Sequence, residues 1–339
     1  MAATVGYPLL CLENPLLDIQ GVGDESLLKK YEVKDNDAIL AEDKHMGLYE
    51  DLIQNHDAKL IAGGAAQNTA RGAQYMLPDD SVAYIGCVGR DKYADILKET
   101  CNKAGIHTEY RVDDVQPTGR CGVIITGHNR SMVTHLAAAN EYKIEHLRQP
   151  HVWSLVEKAK VYYVGGYHLT ACVPAALALA EEAAENNKVF ALSLSAPFIP
   201  QFFKEPLDTL IPYTDYLIGN ETEAISYSES HGWGITDTVE IAKKLAAQPK
   251  KNTDRPRSVI ITQGTLPTIA AVAKTNGEIV VKQYNVREIL KDSINDTNGA
   301  GDAFAGGFCA GVVQEKALDL SIDMGQWLAS LSIQELGPS

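Results

Sequence analysis

The sequence predicts an α/β protein: a doubly wound, mostly parallel sheet flanked by helices, with a smaller β-rich lid domain. Three observations predict it. Short apolar runs rich in β-branched or aromatic residues recur between Gly, Asn or Pro, helical patterns lie between them, and two more polar stretches break the alternation. The runs are 8–12 (PLLCL), 81–89 (SVAYIGCVG), 161–166 (VYYVGG), 189–195 (VFALSLS), 216–220 (YLIGN) and 258–264 (SVIITQG), each apolar enough to read as a strand buried on both faces. Two helices stand out between them. The stretch 173–187 carries a proline near its first turn, and 236–248 opens on Thr and Asp as capping residues. The breaks run from about 18 to 60 and from about 116 to 135, and the second reads as a hairpin turning at GHN. The expected organisation is a large domain from 1–17, 61–115 and 136–339, and a discontinuous lid from 18–60 and 116–135.

A chain of 339 residues suits one large domain plus a small one, and 45% hydrophobic with 22% charged residues describes an ordinary globular protein. Thirty Lys and Arg against 44 Asp and Glu leave a net charge of -14, which argues against nucleic acid or an anionic membrane as the main partner. A local anion site at a helix N-terminus stays open to it. The six cysteines are scattered without CxxC or zinc spacing and are expected to be reduced; Cys121, in the lid, reads as small apolar packing or as a thiol near a ligand. His45, His56, His107, His128, His135, His146, His151 and His231 show no metal spacing. No signal peptide is evident and no apolar run approaches the roughly 18 residues of a membrane span, so a cytoplasmic protein is expected, with nuclear presence allowed.

The stretch 296–308, DTNGAGDAFAGGF, passes from a loop into a helix. Amides of a first helical turn lack intrahelical acceptors and sit at the positive end of the dipole, so Gly299, Ala300 and Gly301 offer three nearly bare donors to an anion. Asp302 follows at once. A carboxylate beside an anion site suits a base that takes a proton from a hydroxyl attacking phosphate; the alternative is a helix cap followed by small residues for close packing. Neither GxxxxGK[ST] nor GxGxxG is present, which disfavours a P-loop NTPase and an ordinary dinucleotide-binding dehydrogenase.

Upstream, AGGAAQN (62–68) places the di-glycine Gly63–Gly64 ahead of Asn68 at a helix start, as either a ligand approach or a capped turn. ENPLLD (13–18) ends a strand at Asn14 and sets Asp18 where a carboxylate could accept from a vicinal diol, or where a strand simply exits into a polar loop. Together, the di-glycine with Asn68 and DTNGAGD resemble the paired signatures of the ribokinase-like (PfkB) carbohydrate kinase family, and the resemblance covers essentially the whole chain. NPLLDI (14–19), AILAEDKH (38–45), TGHNRSM (126–132), LAAANEY (136–142), LSAPFI (194–199) and GNETEA (219–224) are similar to its adenosine-phosphorylating branch, rather than to its ribose or fructose kinases.

The resemblance implies transfer of phosphate from ATP to the 5′-hydroxyl of adenosine, giving AMP and ADP in purine salvage. It implies Asp302 as general base, the Gly299, Ala300 and Gly301 amides as anion hole, and Arg130, placed near the tip of the lid hairpin, as a phosphate contact on lid closure. Ribose hydroxyls fall to Asp18, Gly64 and Asn68, with Asn14 and Gly63 nearby; the base falls to Leu16, Leu40, Met132 and His168, the last standing where relatives carry Phe. Ala65 replaces a serine of some relatives. Asn220, Gln263, Gly264 and Asn298 are implied at the ATP site, and Glu223 as a partner of magnesium (Mg2+) through water. The expected ligands are adenosine and ATP, with no nucleic acid and no membrane, and the expected state is a monomer. A kinase for another nucleoside or a free sugar, or a non-catalytic nucleoside sensor, is the alternative. The end at ELGPS (335–339) is expected to be a trimmed or disordered tail.

Overall fold

Runs of apolar residues too short for helices, alternating with stretches of helical period, leave the chain little choice but a covered sheet. The computed structural model describes residues 6–35, 37–127, 129–274, 276–290 and 293–335; His128 and the tail 336–339 lie outside them. The strands are β1 (Leu9–Leu12), β2 (Leu16–Val22), β3 (Ala38–Leu40), β4 (Lys59–Gly63), β5 (Val82–Gly89), β6 (His107–Asp113), β7 (Arg120–Thr126), β8 (Asn129–His135), β9 (Val161–Val164), β10 (Val189–Ser193), β11 (Tyr216–Asn220), β12 (Ser258–Gln263), β13 (Leu266–Ala273) and β14 (Ile279–Tyr284). The helices are α1 (Glu25–Lys30), α2 (Leu48–Asn55), α3 (Ala65–Met76), α4 (Lys92–Lys103), α5 (Ile144–Leu147), α6 (Pro150–Lys158), α7 (Val173–Glu185), α8 (Phe198–Phe202), α9 (Lys204–Leu210), α10 (Glu221–Ser230), α11 (Thr238–Ala246), α12 (Ala300–Val313) and α13 (Leu318–Ser332). Among the described residues no helix is long and apolar enough to cross a membrane.

Nine strands form the larger sheet in the order β14-β13-β12-β11-β10-β9-β1-β5-β6, and five form the smaller in the order β3-β8-β7-β2-β4. Strands β6 through β12 of the larger sheet pair in parallel, and β13 and β14 add an antiparallel edge. All eight residues of β5 and all four of β9 are buried, as strands covered on both faces require. One apolar cluster packs α6, α7, α9, α10 and α11 on one face, and a second packs α3, α12 and α13 on the other, which is the doubly wound arrangement. The smaller sheet has its own core, centred on Leu17, Ile19, Leu48, Tyr49, Leu52 and Ile124. The 116–135 hairpin forms as β7 and β8, with Thr126 opposite Asn129 and Gly127 left-handed in its turn.

Helix α12 runs between α3 and α13 at backbone contact. A Cβ at Gly306 would lie 2.7 Å from the Thr69 carbonyl oxygen, and one at Gly307 would lie 2.5 Å from that of Met324. These glycines therefore set the depth of α12, and with it the position of its N-terminus. The chain passes between the two sheets four times: at 13–15, at Gly64, at 114–119 and after His135. Away from these crossings, the fully buried Arg257 ties α9, β11 and α11 together by donating to the carbonyl oxygens of Ile211, Thr214, Leu245, Gln248 and Pro249, at 2.6–3.2 Å.

Candidate active site

A cavity of about 760 Å³ opens between the two sheets, and residues of the crossings line it. Strand β2 carries Leu16 and Asp18 into it, and β1 ends just before Glu13 and Asn14. Two glycines make this close approach possible. A Cβ at Gly63 would overlap the Asp18 carboxyl, and Gly64 is left-handed (φ 92°) with its missing Cβ 2.6 Å from the Asn14 carbonyl oxygen. From there α3 starts and presents Asn68.

On the opposite wall Gly299 is also left-handed (φ 77°) and caps α12, whose first turn contains Ala300, Gly301 and Asp302. Gly299, Gly301, Asp302 and Asn298 line the cavity, while the Ala300 amide leans back toward the Thr297 carbonyl at 3.4 Å. The two glycine motifs meet side chain to side chain: Asn68 Nδ2 donates to Asp302 Oδ2 at 2.9 Å. Behind Asn68, Arg71 donates to its Oδ1 at 2.7 Å and to the Ala62 carbonyl at 3.0 Å. Arg71 was not legible as a site residue, although its i+3 spacing from Asn68 puts both on one helix face.

The cleft concentrates carboxyls. Burial pushes Asp302 up to about 7, against the Asn68 hydrogen bond and the Arg71 charge, which both pull it down. Burial likewise raises Asp18 and Glu223 to about 7 and Glu13 to about 8. Asn220 caps α10 and closes a box with Glu223: Glu223 N donates to Asn220 Oδ1 at 2.9 Å, while the Asn220 amide and Nδ2 donate to the carboxyl at 3.0 and 2.8 Å. Both residues line the cavity. Among the described residues no group of three or more His, Cys, Asp or Glu could hold a metal ion.

The apolar side of the cleft contains Leu16, Leu40 and Met132, together with Leu136 and an aromatic set with no signal in the sequence: Tyr167, Phe198, Phe202 and Phe203. Tyr167 and Phe198 lie with ring centroids 5.8 Å apart. Cys121 also lines the cleft, as a thiol held protonated by burial, which pushes it up to about 12.

Four expected residues are placed elsewhere. His168 is fully buried behind the cleft wall, edge-on to Tyr142 at 5.3 Å, because the short helical turn 166–170 directs its neighbour Tyr167 into the cavity instead. Gln263 spends its side chain on Thr238 and the Pro267 carbonyl, and Gly264 (φ 57°) makes the β12–β13 turn, so Thr262 is the cavity residue at that strand end. Arg130, one residue inside β8, points to the motif loop: its Nε donates to Asp296 Oδ1 at 2.7 Å in a pair with both side chains largely buried. The same Asp296 oxygen accepts the Asn298 amide at 2.9 Å, so Arg130 braces the turn that leads into α12.

The position of His168 has a measurable effect. Burial depresses its imidazole from 6.5 to about 3, so the native state keeps it neutral while the unfolded chain gains a proton below pH 6.5. Its contribution is fully present above pH 6.5 and is lost as pH falls toward 3. His168→Phe should remove that loss, narrowing the drop in stability between pH 7 and pH 5 by about 2 kcal/mol. Denaturant titrations at the two pH values check this, and an unchanged drop in the variant counts against a buried neutral imidazole.

The sequence model described as pfkB family carbohydrate kinase matches residues 28–339. A curated relative from Schizosaccharomyces pombe, named adenosine kinase, is 48% identical over 98% of this chain and 95% of its own. The solved structure of Anopheles gambiae adenosine kinase in complex with P1,P4-di(adenosine-5) tetraphosphate superposes with a TM-score of 0.93 at 43% identity, covering 98% of this chain and 97% of that one. Schistosoma mansoni adenosine kinase in complex with 2-fluoroadenosine gives 0.91 at 37% identity over the same shares.

Proposed function

The chain belongs to the pfkB family of carbohydrate kinases, and from that premise we propose that it transfers the γ-phosphoryl group of ATP to the 5′-hydroxyl of adenosine, giving AMP and ADP. The observation that carries the reading is the Asn68–Asp302 hydrogen bond at 2.9 Å. It joins a hydroxyl-binding motif to a base at the edge of an anion site, as transfer to an alcohol requires. Asp18, Asn68 and the Gly64 backbone hold the ribose hydroxyls, and Leu16, Leu40, Met132, Tyr167 and Phe198 wall the base. The sugar is thereby oriented with its 5′-oxygen toward Asp302.

Asp302 takes the proton of that hydroxyl as the oxygen attacks phosphorus, and the amides of Gly299 and Gly301 at the start of α12, joined by that of Ala300 if it leaves the Thr297 carbonyl, receive the charge of the transferring group. Asn298 and Thr262 lie along the ATP side. The lid formed by 18–60 and 116–135 excludes water, which suppresses ATP hydrolysis. Magnesium fits this cleft as an ion held chiefly by phosphates and water, since among the described residues the cavity carboxyls form no cluster of three that could cage a metal and Glu223 stands beside Asn220. When bound with the nucleotide it supplies charge neutralisation at the phosphates.

An assay with adenosine, inosine, guanosine and ribose as acceptors tests the assignment. Adenosine is expected to give the highest kcat/KM. Phosphorylation of ribose with adenosine untouched would replace the nucleoside by a free sugar, and adenosine binding without ATP turnover would make the protein a sensor.

A further inference from the structure

Two helices present their N-termini to the same cleft, and each enters from a left-handed glycine, Gly64 before α3 and Gly299 before α12. By unpaired amides and dipole alone, either end would attract an anion. In α12 the Ala300 amide leans only weakly on a backbone carbonyl, that of Thr297 at 3.4 Å, and Asp302 stands in the first turn, whereas in α3 a buried side chain covers a first-turn amide. Glu13, 1% exposed, accepts the Ala66 amide of α3 through Oε2 at 2.7 Å. The carboxyl also faces the Tyr167 amide, Oε1 is buried without a well-aligned hydrogen bond among the described residues, and the residue belongs to the cavity wall. Space is reserved for this carboxyl, because a Cβ at Gly165 would overlap Oε1. The charged and titratable groups around it are Asp302, Tyr84, Tyr163, Tyr167 and Cys11. With burial raising the acid to about 8, it sits there protonated at neutral pH and adds no charge beside Asp302.

We propose that Glu13 is a positioning residue that gives the cleft its polarity: by filling the N-terminus of α3 it leaves α12 as the end open to a phosphoryl group, and an uncharged, hydroxyl-bearing substrate lies against α3. The inference rests on the kinase reading above. It concerns which helix end accepts an anion, and so it is tested by binding rather than by turnover.

Binding of radiolabelled adenosine is measured without ATP, at rising inorganic phosphate, for the wild type, Glu13→Gln and Glu13→Ala. Glutamine keeps the helix end filled, so phosphate should leave adenosine binding unchanged in it and in the wild type. Alanine opens the end, and phosphate should then compete, raising the apparent Kd for adenosine about tenfold. Where Glu13→Ala alone yields too little folded protein, combining it with Gly165→Ala refills part of the vacated space, and the same competition is expected. Equal phosphate sensitivity in wild type and alanine variants overturns the proposal, as does competition appearing equally in Glu13→Gln. Adenosine turnover by the wild type, assayed separately, tests the kinase reading: binding without turnover damages that reading and leaves the phosphate comparison intact, while loss of both removes the two together.

Discussion

Asp302→Asn is expected to lower kcat by about 10³-fold, the usual range for a positioned general base, with adenosine affinity and folding nearly unchanged. Asparagine keeps an oxygen to accept from Asn68 Nδ2, so the link between the two motifs survives while the proton acceptor is lost. The pH profile carries a second signature. Burial raises Asp302 to about 7, so the carboxylate form is depleted as pH falls through that value, and wild-type kcat/KM should decline on the acid side with a midpoint near 7 in the free enzyme. Steady-state kinetics from pH 5.5 to 8.5, as an order-of-magnitude window around that pKa, reads both effects. Wild-type turnover in the variant would end the assignment of Asp302 as base.

Arg257→Met should be the most destabilising substitution considered, costing about 3 kcal/mol, because a fully buried guanidinium loses five hydrogen bonds to carbonyl oxygens, of which those of Ile211 and Leu245 keep a backbone donor. Methionine fills much of the volume, so the effect reports lost hydrogen bonds more than a cavity. Arg257→Lys restores a charge but only three donors in place of a planar fork, and should fall between. The shift of the urea midpoint, with its slope, measures this. A change below about 1 kcal/mol in the methionine variant would mean that water or other groups replace the guanidinium.

Much of the larger sheet was legible because a parallel strand covered on both faces must be apolar along its length, and β1, β5, β9, β10, β11 and β12 all satisfy that rule. Strands β13 and β14 did not announce themselves: β13 contains Pro267 and β14, at the sheet edge, is only half-buried. At the site, glycine motifs are readable since they encode backbone geometry, and Gly64 and Gly299 do take left-handed conformations. Which of two adjacent side chains faces a cavity is not encoded locally. Tyr167 and His168 differ only in rotation about a short helical turn, and Thr262 and Gln263 only in the pleat of one strand. Glu13 escaped notice for another reason: its meaning depends on Ala66 and Gly165, contacts that exist only after the sheets close around it.

Three of the four passages between the sheets, 13–15, Gly64 and the one that begins at Leu136, are also walls of the cleft. In the proposed function, the joint about which the smaller sheet would turn is therefore built from residues that hold the nucleoside. A ribose held there would act as a splint across the fulcrum, and its release would free the joint. Mechanical coupling of this kind would need no messenger residue between binding and motion, because the same few peptide units would serve as both bearing and receptor.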